Sequence, residues 1–211
     1  MNTPLLKVCG LTKLDQIQEL ISMNTDFLGF IFYEKSPRYV LNHLSLDDIS
    51  KINHQGKVGV FVNEEINTIL EIAQKAKLNF IQLHGDESEN FISELKGKLN
   101  PETGIIKVIR IGPNSVLSKD EDSIQNDITY LLFDTDSKTF GGTGKQFDWA
   151  LLNEFKIRLP YFLSGGISED NVTNIKNLNQ PPFALDINSK FELEAGIKDV
   201  EKIKKFKTLY G

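Results

Sequence analysis

Four apolar runs in this chain end on residues able to do chemistry: KVCG on the thiol of Cys9, IQLHGD on His84, LLFDTD on Asp134 and FLSGG on the pair Gly165 and Gly166. In α/β folds the carboxyl end of a strand is where active sites are built. A thiol and a carboxyl on two different strands can face opposite sides of one substrate, the arrangement of a proton shuttle with a separate acid and base. Gly165 and Gly166 precede a segment starting near Ser168 whose helix N-terminus would offer backbone N–H groups to an anion. Asn188 and Ser189, after the next apolar run, are expected to add to that phosphate site. Each residue also has a plainer reading. Free cysteine is usually a small buried hydrophobe, Asp134 with Asp136 could cap a helix or hold magnesium, and His84 could bond a loop carbonyl. Paired glycines often make only a tight turn. Arg38, in SPRYV, could be a surface ion-pair partner, although its planar fork suits a carboxylate.

Positioning these groups requires a repeated strand-and-helix unit. Apolar runs rich in Val, Ile, Leu and Phe recur at 5–9, 27–32, 57–62, 79–83, 106–111, 129–134, 161–164 and 183–187. They are near-continuous instead of alternating, as parallel strands buried on both faces should be. Between them, Leu14, Ile17 and Ile21 share a helical face, as do Ile66, Ile69, Leu70 and Ala73, and Phe91, Ile92 and Leu95. A last helix is expected over 200–209 with Asp199 as N-cap, and 97–104, containing Pro101, reads as a loop before the fifth strand. Eight such pairs in 211 residues predict an α/β fold, a single-domain (β/α)8 TIM barrel spanning 1–211, with an open doubly wound sheet as the alternative. The barrel puts Cys9, Phe32, Val62, His84, Arg110, Asp134, Ser164 and Asp186 at or near one rim. Residues 141–144 form a glycine-rich loop long enough to fold over a ligand, or an ordinary loop.

Composition narrows the partners. A net charge of −5 and an isoelectric point near 5.3 argue against a nucleic-acid partner, which needs a basic face. The sequence has no secretory leader pattern and no run near the ~18 apolar residues of a membrane span, so a cytoplasmic protein acting on a small molecule is expected. Its one cysteine allows no internal disulfide, and His43, His54 and His84 lack metal-ligand spacing; no metal is expected.

The segments KVCGLT, GFIFYEKSPRYV, VGVFVN, IQLHGDE, LLFDTDSKTFGGTGKQFDW, FLSGGI, ALDINS and AGIKD, in this order, resemble the phosphoribosylanthranilate isomerases of tryptophan biosynthesis, from about Leu5 to Lys207. The resemblance implies a barrel without metal or organic cofactor, monomeric or homodimeric. It would catalyse the Amadori rearrangement of N-(5-phosphoribosyl)anthranilate to 1-(2-carboxyphenylamino)-1-deoxyribulose 5-phosphate. It further implies Asp134 as general acid and Cys9 as general base, Arg38 for the anthranilate carboxylate, and His84 and Asp186 as substrate contacts. Gly142, Gly144, Ser164, Gly165, Gly166, Asn188 and Ser189 would hold the phosphate. A thiol starts at a pKa of about 8.5, so a thiolate at pH 7 costs about 2 kcal/mol unless something lowers it; the helix starting near Thr12 is the expected source. Keeping a carboxylic acid protonated at pH 7 asks for a rise of roughly three units, about 4 kcal/mol. One departure stands out. Where the family reads Asp-Val-Ser-Ser-Gly-Val-Glu, this chain has Asp186-Ile187-Asn188-Ser189-Lys190-Phe191-Glu192, and Lys190 would resist a positive φ that glycine accepts while adding charge near the phosphate. Two other functions fit the same residues: a related phosphosugar isomerase or epimerase, and a catalytically silent binder of a phosphorylated metabolite.

Overall fold

The computed structural model describes residues 3–112, 126–136 and 147–210. The eight apolar runs become β1 (Leu5–Val8), β2 (Phe27–Ile31), β3 (Lys57–Phe61), β4 (Phe80–Leu83), β5 (Gly104–Ile111), β6 (Tyr130–Thr135), β7 (Tyr161–Leu163) and β8 (Ala184–Ile187). All pair in parallel in chain order, and β8 returns to β1, closing the barrel. Closure buries both faces of each strand, which is why the runs do not alternate. One face enters an inner core with Phe27, Ile31, Val58, Val60, Ile106, Val108, Leu132 and Phe162. The other meets the surrounding helices in a larger outer core that includes Leu6, Val8, Ile17, Leu20 and Ile69. Phe27, Phe80, Tyr130 and Phe183, from the starts of alternate strands, meet ring to ring at the amino-terminal end. Phe162 packs against Phe27 and Tyr130 at centroid distances of 5.0 and 5.3 Å. Aromatic rings thus fill the barrel at that end, as layered side chains do in this fold, and leave the polar chemistry to the other.

Four helices follow the first four strands: α1 (Leu14–Ser22), α2 (Leu46–Lys51), α3 (Ile66–Ala76) and α4 (Glu89–Lys98). Each faces the barrel with buried aliphatic residues: Ile17 and Leu20, Ile49, Ile69 and Ala73, and Ile92 and Leu95. Ser45 and Asp48 form a capping box on α2, and Ser88 caps α4. The expected loop over 97–104 is corrected in part: Gly97 lies inside α4, where the buried Leu95 and Leu99 anchor the last turn on the core, and Gly104 already opens β5. Among the described residues, those after β6 and β7 form the 3-10 turns Trp149–Glu154 and Val172–Asn177. Beyond β8 a small antiparallel hairpin, β9 (Glu192–Glu194) and β10 (Ile197–Lys198), precedes α5 (Val200–Tyr210). Asp199 caps α5 as expected, its Oδ1 accepting from the Lys202 N–H at 3.0 Å.

Candidate active site

At the carboxyl-terminal rim a cleft of about 810 Å³ is lined by Cys9, Gln82, His84, Asp134, Ser164, Gly165, Gly166, Asp186, Asn188 and Ser189, among others. Most of the residues singled out from the sequence therefore meet in one place. Three are not among its lining residues: Arg38, and the candidate loop residues Gly142 and Gly144, which lie outside the described residues.

Cys9 follows β1 directly and is 5 % exposed. Opposite it on the neighbouring strand is Gly29, where a Cβ would stand 2.9 Å from the Cys9 Sγ; only a residue without a side chain leaves the thiol its room. Burial pushes the Cys9 thiol up. The positive charge of Lys7 opposes this, the Asp186 carboxylate adds to it, and Lys198 opposes it again. The expected lowering by a helix N-terminus is thus corrected: α1 begins only at Leu14, and burial in the barrel mouth outweighs the cations, so the unliganded protein holds Cys9 as a thiol.

Asp134 lies on β6. Its carboxyl is pushed up to about 6, chiefly by burial; the Thr135 N–H, 2.8 Å from Oδ1, works against the rise. The shift has the expected direction but a smaller size, leaving about a tenth of Asp134 protonated at pH 7. Gly165, at φ +83°, brings its backbone so near that a Cβ would stand 3.1 Å from Asp134 Oδ1. His84 is neutral: burial, followed by the charges of Lys7, Arg110 and Lys107, lowers it to about 3. Its Nδ1 takes the Gln82 amide at 3.2 Å, which makes Nε2 the N–H that faces Asp134 Oδ2 at 3.5 Å. That approach is a dipole contact and not an ion pair.

Two charged groups missed by the sequence reading lie beneath the rim. Lys7 is wholly buried in β1, beside Asp186 in strand register, with its Nζ 2.9 Å from Asp186 Oδ1. The signal was there in outline, because Lys7 and Cys9 sit at i and i+2 and so share the inward face, but a lysine in an apolar run ordinarily snorkels outward. The second group is Glu192 with Arg38 and Lys198. Glu192 takes Arg38 Nε at 2.9 Å and Nη2 at 2.7 Å, and Lys198 Nζ at 2.7 Å. Lys198 also donates to Asn188 Oδ1 at 2.8 Å. An ammonium only donates, so this bond fixes the amide orientation and turns the Asn188 NH2 group away from Lys198. Arg38 passes over Gly10, where a Cβ would meet its Cδ at 2.7 Å.

The phosphate side is partly redrawn. The Ser168 N–H is taken by Asn171 Oδ1 at 2.8 Å, and Asn171 Nδ2 donates to Gly166 O. The turn closes on itself, and the 3-10 stretch begins only at Val172, so Ser168 does not open a helix toward an anion. Gly165 and Gly166, both at positive φ, and Asn188 and Ser189 do line the cleft. Lys190 lies in the 3-10 turn Ser189–Phe191 and is not among the residues at positive φ, so the strain expected there does not arise; its side chain is exposed on the cleft rim. Among the described residues no cluster of three or more His, Cys, Asp or Glu could hold a metal, and no helix is long and apolar enough to cross a membrane.

A closed parallel barrel that gathers a thiol, two carboxylates, a neutral imidazole and a glycine turn at its carboxyl-terminal rim defines an acid–base enzyme of the (β/α)8 class. Residues 6–208 match the family model for N-(5′-phosphoribosyl)anthranilate isomerase. The isomerase of Parabacteroides distasonis is 37% identical over 206 residues, covering 96% of this chain and 91% of that one; that of a Thermoanaerobacter species is 38% identical over 204 residues, covering 95% of each. The crystal structure of the isomerase from Thermotoga maritima superposes with a TM-score of 0.78 at 32% identity, covering 98% of both chains. A phosphoribosylanthranilate isomerase in complex with reduced 1-(o-carboxyphenylamino)-1-deoxyribulose 5-phosphate superposes at 0.74 with 30% identity, covering 96% of both chains. The chain belongs to the N-(5′-phosphoribosyl)anthranilate isomerase family, and it is an isomerase.

Proposed function

We propose that this barrel performs the Amadori rearrangement of N-(5′-phosphoribosyl)anthranilate in tryptophan biosynthesis, with Asp134 as general acid and Cys9 as general base. The observation that carries the roles is their placement: the two groups reach one cleft from β6 and from the end of β1, across the barrel from each other. Asp134 donates a proton to the ribose ring oxygen, the ring C–O bond breaks, and the nitrogen lone pair forms the C1=N bond of a Schiff base. Cys9 then takes the C2 proton, and the electrons left on C2 move to the nitrogen, giving an enolamine that becomes the ketone. The carboxyl held near 6 is a group that can be protonated at working pH and still donate readily.

In the same reading Asp186 and the neutral His84 contact the ribose, and Ser164, Gly165, Gly166, Asn188 and Ser189 receive the phosphate. Arg38 keeps its Nη1 edge for the anthranilate carboxylate while Glu192 holds its Nε side. Purified protein added to phosphoribosylanthranilate generated in place should extinguish the anthranilate-type fluorescence, after spontaneous hydrolysis is subtracted. Cys9→Ser and Asp134→Asn should each lower turnover by about 10²-fold or more. Wild-type rates in both variants would refute the assigned roles, and a folded wild type without turnover would move the protein to a related substrate or to a binding function.

A further inference from the structure

Lys7 has no part in the acid–base scheme, yet it is among the largest fully buried side chains of the molecule and is bonded to Asp186, a residue that lines the cleft. A buried ammonium carries a large desolvation cost that is offset only by a well-placed counterion. Asp186 supplies that partner from the neighbouring position of β8; burial alone would lower the Lys7 pKa, but the charge and hydrogen bond of Asp186 help to outweigh it and leave it raised. The ion pair does more than neutralise itself. Lys7 and Cys9 are two residues apart on the inner side of β1 and its carboxyl end, both buried, and the Lys7 charge acts on the thiol in the direction that favours the thiolate. The other groups acting on the thiol are Asp186 from β8 and Lys198 from β10. On the β2 side the adjacent residue is Gly29, which carries no charge, and across the cleft stand the neutral His84 and Asp134.

We propose that Lys7 is the positioning residue of the general base: clamped by Asp186 inside the barrel, it supplies a fixed positive charge beside Cys9 that stabilises the thiolate which removes the C2 proton. This rests on Cys9 being the base. Free Cys9 is a thiol and free Asp134 is mostly ionised, so the competent form carries the opposite protonation of both. Its population is a plateau between the two ionisations, with the acidic limb of kcat/KM set by Asp134 and the alkaline limb by Cys9. Removing the Lys7 charge moves the alkaline limb to higher pH. Plateau height is not a clean measure, because Lys7 also lowers Asp134.

The chain's single cysteine makes the test direct: label it with 13C at Cβ and follow its chemical shift against pH in the full-length protein. Lys7→Met should lower the ionisation constant of the thiol about tenfold or more, with the alkaline limb of kcat/KM moving by the same factor. Lys7→Arg, which keeps the charge, should restore both. Should Lys7→Met fail to fold because Asp186 is left unpaired, Lys7→Met/Asp186→Asn is compared with Asp186→Asn alone, and the same tenfold difference is expected. An unchanged thiol titration in Lys7→Met, or in the paired comparison, overturns the proposal even if Cys9→Ser is inactive. An active Cys9→Ser overturns the base assignment itself, whatever the titration shows.

Discussion

At the scale of single residues, the site depends as much on what is missing as on what is present. Gly29 exists so that β2 can lie against the thiol: a methyl group there would stand 2.9 Å from both the Cα and the Sγ of Cys9. Backbone and thiol cannot both yield inside a close-packed barrel. Gly29→Ala should lower kcat about tenfold or more by displacing the thiol, and destabilise the fold by about 1–3 kcal/mol, the usual size of an overpacking effect. Steady-state kinetics together with urea unfolding would check this, and unchanged kcat would mean that Sγ has slack the geometry does not indicate. Cys9, His84 and Asp134 were legible from sequence because each ends an apolar run. Lys7 and Glu192 were not, since their meaning lies in partners far along the chain: Asp186 is 179 residues from Lys7, and Arg38 is 154 from Glu192. Only barrel closure brings those pairs together.

At the scale of elements, the β9–β10 hairpin acts as a strut for the rim. It supplies Glu192 and Lys198, joins α1 through paired bonds between Gln16 and the Lys198 backbone, and from there holds Arg38 and Asn188. Burial alone would push the Glu192 carboxyl up, but the Arg38 hydrogen bonds and the Lys198 charge outweigh it and hold it below the usual carboxylate range. A depressed carboxylate contributes stability that is present at neutral pH and lost as pH falls through its folded value. Glu192→Gln leaves Arg38 and Lys198 as two cations with side chains 11 % and 0 % exposed and no carboxylate between them. It should therefore destabilise the protein by about 3 kcal/mol and raise KM more than it lowers kcat, with unfolding in urea at pH 7 and substrate titration as the measurements. The eight strands were readable because burial on both faces leaves continuous apolar runs. The hairpin was not, being three and two residues long with mostly polar side chains. Nor were the 3-10 turns after β6 and β7, where Asn171 and Asp148 direct local side-chain bonds into the backbone in competition with an α-helical start.

At the scale of the whole molecule, the catalytic end of the barrel is maintained against the stability of the rest. The aromatic end is filled by rings that stabilise without titrating, whereas the rim buries a carboxyl that would be better solvated unfolded. Asp134 is raised from 3.8 to about 6, so the folded state binds its proton more tightly than the unfolded chain does. The sign follows: the associated stability is fully present below about 4 and is lost as pH rises through about 6. At pH 7 the ionised Asp134 thus destabilises the fold by about 2–3 kcal/mol relative to a neutral group of the same shape. Asparagine is that group, and its carbonyl can still accept the Thr135 N–H that Asp134 now accepts. Asp134→Asn should therefore be the more stable protein at pH 7 by about 2–3 kcal/mol, with the margin shrinking to about half at pH 5, while losing the acidic limb of its kcat/KM profile along with most of its turnover. Urea unfolding of both proteins at the two pH values decides it. A margin that is absent at pH 7, or that grows as pH falls, would mean that the polar contacts of Asp134 outweigh its burial and that the rim is not a site of stored instability.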